Sequence, residues 1–323
     1  MDIKMPSLAG LSGWSGRSIL LALVVLILFN VAFTPHFVSL QTLNVNLTQV
    51  CTIVIVATGL SLVIATGGID LSVGSLMAIS GALAPAFFAG HSFASVPGLG
   101  ISLAFVVPPL VAMAFGAFNG ALVAKVGLQP IIATLVLFIA GRGIAQVMTN
   151  GNLVSFSNPT FQVIGLGRVV GIPVQVILAV LIVVAVVWML HRTTLGRYIL
   201  AVGGNETAAR LAGAPIVQVK LFVYALSGLL AGLAGLVVIA INSSADANRI
   251  GLGMELDAIA AVAVGGTPMN GGRAFVVGTL LGALLIQLVR YTLLANGVPD
   301  AVAMIAKAAI IIVAVYIQAR RAA

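Results

Sequence analysis

Runs of apolar residues long enough to cross a bilayer recur along the whole sequence, and this repetition restricts the fold more than any other feature. They fall at about 18–34, 48–66, 71–89, 100–124, 130–149, 173–190, 219–242, 257–267, 275–295 and 300–318. A crossing helix needs roughly 17–25 predominantly apolar residues, and most of these runs supply them. The run at 257–267 is too short, so it reads as a half-helix or as part of a longer tilted span that takes in Met254–Asp257. With 61% hydrophobic and 7% charged residues, no soluble fold of 323 residues could bury that much apolar surface. The expectation is an all-α polytopic membrane protein of about ten transmembrane helices, some broken or halved, forming one membrane domain over residues 1–323.

The net charge of +8 would suggest nucleic acid in a soluble chain. Here the basic residues sit at the ends of apolar runs, where topology accounts for them, and no nucleic-acid partner is expected. With the N-terminus inside, the internal segments hold Lys4, Arg17, Lys125, Arg192, Arg197, Arg210, Lys220, Arg273, Arg320 and Arg321, and the external loops hold only Arg168 and Arg249. Lys and Arg accumulate on the cytoplasmic side, so both termini are expected there, with 1–17 as a cytoplasmic tail. The basic start before an apolar run resembles a signal peptide, but no small-residue cleavage site follows, and the first run reads as a transmembrane helix. One cysteine, Cys51, excludes an internal disulfide and a cysteine metal cluster; in its apolar run it reads as a small packing residue.

Two glycine-broken stretches interrupt the pattern. In Ala65–Ser75, Gly67–Gly68 breaks the helix, Asp70 can cap, and Leu71 onward resumes it. Val264–Arg273 carries four glycines and a proline. Each reads either as a tight cytoplasmic turn or as a broken helix at membrane depth, which is tolerated only inside protein or beside a wet cavity. Spans two to five begin outside and spans seven to ten begin inside, so a repeat pairing them would be inverted, an arrangement transporters use.

Between the runs Val174–Leu190 and Leu221–Ile241 lies a loop, 191–218, that cannot rest in hydrocarbon and is placed in the cytoplasm by its basic excess. One short helix is expected in it. Asn205 caps the start, Glu206 sits in the first turn and pairs with Arg210 at i,i+4, and Gly213 followed by Pro215 stops it. Ala208, Ala209 and Ala212 make one side smooth. Such an element is either a tidy loop or a knob offered to a soluble partner.

Charges within or beside the spans are few. Asn242, Asp246, Asn248, Arg249, Glu255 and Asp257 cluster around the outer end of the seventh span, either as a solvated loop or as a surface that receives substrate or a docking protein. Arg142, Arg290 and Lys307 lie inside apolar runs, where a charge faces the bundle interior or a water-filled cavity. Arg142 with Asp70, and Lys307 with Glu255 or Asp257, are candidate pairs, as structural ion pairs or as substrate contacts. No metal site or catalytic residue is expected: there is no HExxH motif, and the GxSG string at Gly10–Gly13 sits in the polar tail. The lysines are followed by Met, Val, Leu and Ala, so no Walker A motif exists. Active transport would draw on an ion gradient or on another subunit.

Three segments, VIATGGIDLSVGSLMAISG at 63–81, GRYILAVGGNETAARLAGAPI at 196–216 and ELDAIAAVAVGGTPMNGGR at 255–273, resemble in order the permease subunits of bacterial sugar ABC importers of the ribose, xylose and galactose kind. ADANRIG at 245–251 is most similar to galactofuranose-type members. The resemblance implies a multi-pass permease of the bacterial inner membrane that moves a pentose or hexose from periplasm to cytoplasm by alternating access. It implies a second permease subunit (a homo- or heterodimer), two cytoplasmic ATPase domains and a periplasmic sugar-binding protein. The chain itself would bind no cofactor, with ATP and Mg held by the partner. Asn205–Gly213 would be the coupling helix, with Pro215 departing from the β-branched residue common after it. The family supplies no defined sugar site, so Gly67, Gly68, Asp70, Arg142, Asn242, Glu255, Asp257 and Lys307 stand as candidate path or gate residues. The alternatives are an ABC permease for branched-chain amino acids or a furanose autoinducer, or a stand-alone channel or gradient-driven carrier.

Overall fold

The computed structural model describes residues 14–88, 98–299, 301–305, 308, 309 and 312. Its helices are α1 Trp14–Phe33, α2 Leu40–Ala65, α3 Val73–Phe88, α4 Leu99–Ala121, α5 Pro130–Met148, α6 Pro159–Leu166, α7 Val174–Arg192, α8 Thr194–Gly204, α9 Glu206–Leu211, α10 Ile216–Asn242, α11 Met254–Val264 and α12 Val276–Ala295. A π-helical turn, Leu122–Val126, extends α4. Two antiparallel pairs of two-residue strands, β1 Val154–Ser155 with β4 Ser244–Ala245 and β2 Arg168–Val169 with β3 Ile172–Pro173, are the sheet found among the described residues. The chain is an all-α polytopic membrane protein. Leu40–Ala65, Leu99–Val126, Pro130–Met148, Val174–Arg192, Ile216–Asn242 and Val276–Ala295 are long and apolar enough to cross a membrane, and Ile19–Phe33 and Val73–Phe88 are shorter apolar helices. The run expected at 300–318 lies mostly outside the described residues.

Helices α2 and α10 form the centre. From Val50 to Ala65 every residue of α2 is buried, and a helix that is apolar all round belongs in an interior. Helix α10 packs against α4, α2, α3 and α6, its most extensive contact being with α4. Small residues allow that contact: Ala112 and Gly116 of α4 meet Gly228 and Gly232 of α10 with backbones nearly touching. Buried Cys51 donates its thiol hydrogen to the Leu47 carbonyl at 2.9 Å.

With 191–218 at the lower end of the bundle, α2 ends there, and α10 and α12 begin there. Helices α3 and α11 are both short, and the reason is shared. After α2 the chain climbs without helical structure from Gly67 to Ser72 before α3 begins, at Val73 rather than at Leu71. After α10 the chain descends through 243–253, and Gly251 comes against Gly74 at the start of α3. The 257–267 run is thus the half-helix α11, an 11-residue element that includes Met254–Asp257.

Candidate functional site

The loop 191–218 contains two helices, not one. Thr193 caps α8 by accepting from Gly196 N at 3.2 Å, and Ile199 and Val202 bury its apolar face. Sequence reading missed α8 because its three glycines, Gly196, Gly203 and Gly204, read as loop. Helix α9 is the expected element: Asn205 Oδ1 accepts from Ala208 N at 2.9 Å, and Gly213 follows at φ +80°. Ala209 faces inward, whereas Asn205, Ala208, Arg210 and Leu211 are exposed, Leu211 at 86%. Leu211 was missed, although it is the one large apolar residue between Arg210 and Gly213. Glu206 accepts from Arg210 at 3.1 Å and from Lys220, at the foot of α10, at 2.6 Å. The Lys220 hydrogen bond, outweighing burial and helped by Arg210, holds the Glu206 carboxyl below the usual carboxylate range.

The end of α8, just before α9, is tied to the bundle at a junction of glycines. Gly272 N donates to Ala65 O at 2.9 Å, joining the end of α2 to the loop before α12. Gly203 of α8 lies over that bond: a methyl group on it would stand 2.6 Å from Gly272 N and closer still to Ala65 O. Gly271, at φ +84°, approaches Gly67 N and Gly203 O so closely that a methyl group would lie 2.8 and 2.9 Å away. Positive φ and absent side chain both demand glycine there. The two breaks and the basic loop, far apart in sequence, therefore meet in one junction.

Above it lies a buried polar cluster. Asp70 Oδ1 accepts from Ser72 N at 3.0 Å and Ser72 Oγ at 2.6 Å, and its Oδ2 accepts from Ser227 Oγ at 2.8 Å. Ser72 Oγ also receives Asn119 Nδ2 at 3.0 Å. Ser227 stands about 16 Å along α10, at about 1.5 Å rise per residue, so Asp70 lies at membrane depth. Gly68 is packed against the Tyr224 side chain just below.

The expected Arg142–Asp70 pair does not form. The Arg142 guanidinium donates to the carbonyls of Ala247 (2.8 Å), Ile250 and, at 3.5 Å, Gly74, so it clamps the descending 243–253 segment onto α3. Backbone carbonyls exposed by two broken helices are the partners a buried arginine can fork across. Glu255 and Asp257 are buried in the first turn of α11; Glu255 Oε2 lies against Gly74 and has no hydrogen-bond partner among the described residues. The expected acidic cluster is divided: Asn242, Asn248 and Arg249 are exposed, while Glu255 and Asp257 are not. Lys307 lies outside the described residues, as does any pairing it makes.

Known proteins are similar in sequence to nearly all of the chain. The family model described as branched-chain amino acid transport system / permease component matches residues 43–315. The chain is 42% identical over 308 residues to the ribose import permease protein of Escherichia coli, covering 94% of this chain and 93% of that one. It is 38% identical over 316 residues to the galactofuranose transporter permease protein of Escherichia coli, with 95% and 90% covered. To the fructose import permease protein of Bifidobacterium longum it is 39% identical over 247 residues, with 75% and 67% covered. No solved structure matches it significantly.

Proposed function

This chain belongs to the family described as branched-chain amino acid transport system / permease component, and on that premise we propose that it is the membrane-spanning subunit of an ATP-driven importer of a monosaccharide. The family description covers more than one cargo. Relatives at 38–42% identity over most of their length carry the names of ribose and galactofuranose, and a third carries that of fructose. These favour a pentose or hexose over a branched-chain amino acid. The lower end of the bundle is the cytoplasmic face, with both chain termini on it and about ten spans above, in keeping with the ten-to-two bias of basic residues.

The observation that carries the reading is the junction of Ala65–Gly67, Gly203–Gly204 and Gly271–Gly272 directly behind α9. A separate ATPase subunit, holding ATP and Mg, grips Asn205, Ala208, Arg210 and Leu211. Its closure draws together the α9 levers of two permease subunits. Motion of α9 reaches α10 through Glu206–Lys220 and reaches α2 and the α11–α12 loop through the glycine junction. Nucleotide can drive the change only by favouring one of the two states. A periplasmic binding protein delivers the sugar from above.

Glu206→Lys and Arg210→Glu test this. Both variants insert in the membrane as the wild type does, while sugar-stimulated ATPase activity and uptake fall together. Full uptake in either variant removes the docking role.

A further inference from the structure

The strongest feature that the lever and its junction leave unused is the upper half of α2. The helix changes character at one point. From Val50 downward all residues are buried, whereas Gln41, Leu43, Val45 and Gln49 above it are exposed. The exposed half, LQTLNVNLTQ, has six amide or hydroxyl side chains in ten residues and no charge. Its neighbours fix which way it opens. On one side Gln175, at the start of α7, donates to Thr48 Oγ1 at 3.0 Å. On the other, α12 places Gln287 Nε2 2.6 Å from Gln49 Oε1 and Tyr291 Oη 3.5 Å from Thr42 Oγ1. At about 100° per residue, Gln41, Val45 and Gln49 form one stripe between these two flanks. Helices α7 and α12 also touch one another. The stripe is thus the back wall of a groove, closed below where α2 becomes buried.

Gln49 stands about 24 Å above Ala65 at about 1.5 Å per residue, within the thickness of a bilayer. An exposed carboxamide at that depth is costly against lipid and belongs beside water, a polar ligand or another chain. A second unsatisfied group lies on the same half of α2, beyond α12. Asn46 Oδ1 is buried with no partner among the described residues and lines a cavity of about 700 Å³ between α1, α2 and α12, whose wall is otherwise apolar except for Ser39, Thr42 and Gln287.

We infer that the upper half of α2, with Gln287 of α12, lines an outward-open vestibule for a neutral polyhydroxylated ligand, and that the Gln49–Gln287 pair is its floor. The inference rests on the importer reading and adds its path. Carboxamides offer both donors and acceptors and no net charge, which suits sugar hydroxyls and gives no advantage to a charged amino acid. Gln287, 3% exposed, holds the Gln49 carbonyl, and no protein acceptor is recorded for the Gln49 amino group among the described residues. The candidates Asp70, Arg142 and Glu255 are then framework groups that bind the broken helices together.

The sole cysteine makes the test direct. In the Cys51→Ala chain, assembled with its ATPase and binding protein in liposomes, single substitutions Val45→Cys and Gln49→Cys are treated from the binding-protein side with a charged, membrane-impermeant methanethiosulfonate. Val184→Cys, 59% exposed on the apolar α7, is the lipid-facing control. The vestibule predicts labelling at least ten times faster at residues 45 and 49 than at 184; equal rates overturn it, whichever solute the complex moves. Separately, Gln49→Leu and Gln287→Leu raise the half-saturating concentration of the transported probe (D-ribose, D-fructose or D-galactose) at least tenfold, in complexes that still elute intact on size exclusion. Unchanged half-saturation in both overturns the hydrogen-bonding floor. A wild-type complex that moves none of the three sugars counts against the sugar reading, and labelling still decides the vestibule.

Discussion

Replacing Gly203 by alanine should uncouple the lever from the bundle, and the neighbouring Gly204 supplies the control. A methyl group at residue 203 falls 2.6 Å from Gly272 N and closer to Ala65 O, both backbone atoms that cannot swing aside. At residue 204 the nearest atom to such a methyl is Gly272 Cα at 3.9 Å, an ordinary contact. Overpacking of a tight site costs about 1–3 kcal/mol. Separating Gly272 N from Ala65 O forfeits about another 1 kcal/mol. The sum, about 2–4 kcal/mol, corresponds to a melting-point fall of at least about 4 °C, taking about 2–4 °C per kcal/mol for larger domains. Gly204→Ala restricts the unfolded chain instead and should be neutral or stabilising by up to about 1 kcal/mol. The assay is thermal unfolding of the detergent-solubilised complex followed by size exclusion, with uptake in liposomes measured in parallel. Gly203→Ala is expected to melt earlier and to lose most uptake, while Gly204→Ala retains both. Identical melting and uptake in the two variants would refute the claim that the junction is a close backbone contact transmitting force.

Other outcomes follow from named contacts. Arg142→Ala leaves three carbonyls without their donor and should cost about 3 kcal/mol, given about 1.5–3 kcal/mol for a hydrogen bond to a charged group; Arg142→Lys should rescue little, because an ammonium lacks the guanidinium's fork, as yield and melting in detergent will show. Asp70→Ala orphans Ser72 and Ser227 and should destabilise markedly more than Asp70→Asn, whose Oδ1 keeps the Ser72 bonds; the two melting curves decide it. Lys220→Met should loosen α9 more than Arg210→Ala, because Lys220 is 15% exposed and Arg210 is 70% exposed and screened by solvent; hydrogen exchange across 205–212 measures this. Since the Glu206 carboxyl is held below its ordinary value of 4.5, its contribution is complete above that pH and is lost as pH falls through the depressed value. The protection of α9 should therefore be flat from pH 7 to about 5 and fall below 4.5, and it should not fall in Glu206→Gln, which lacks the titrating group.

The features legible in the sequence were those fixed by neighbours along the chain. The capping of α9 by Asn205, its Glu206–Arg210 pair and its stop at Gly213 follow from spacing alone, as do the apolar runs and the two glycine breaks. Features set by distant partners were not legible. Lys220 pairs with Glu206 across 14 residues and outside any helical spacing. Arg142 was assigned a carboxylate because charge suggests charge, yet its partners are carbonyls freed by helix breaks, which carry no mark in the sequence. Helix α8 was hidden because Gly196, Gly203 and Gly204 disfavour helix, and its form is set by the packing of Ile199 and Val202. That Gly67, Gly203 and Gly271 meet is a property of the packed bundle, although all three lie within the segments that carried the family resemblance.

In the proposed importer, the energy for transport comes from ATP held by a partner subunit. Liposomes containing this chain alone, or this chain with its ATPase subunit and binding protein, can be compared for accumulation of labelled D-ribose, D-fructose and D-galactose against a gradient, with and without ATP. Accumulation of one of these sugars only when ATP and all the subunits are present is the predicted result. Concentrative uptake by the purified chain alone would contradict it.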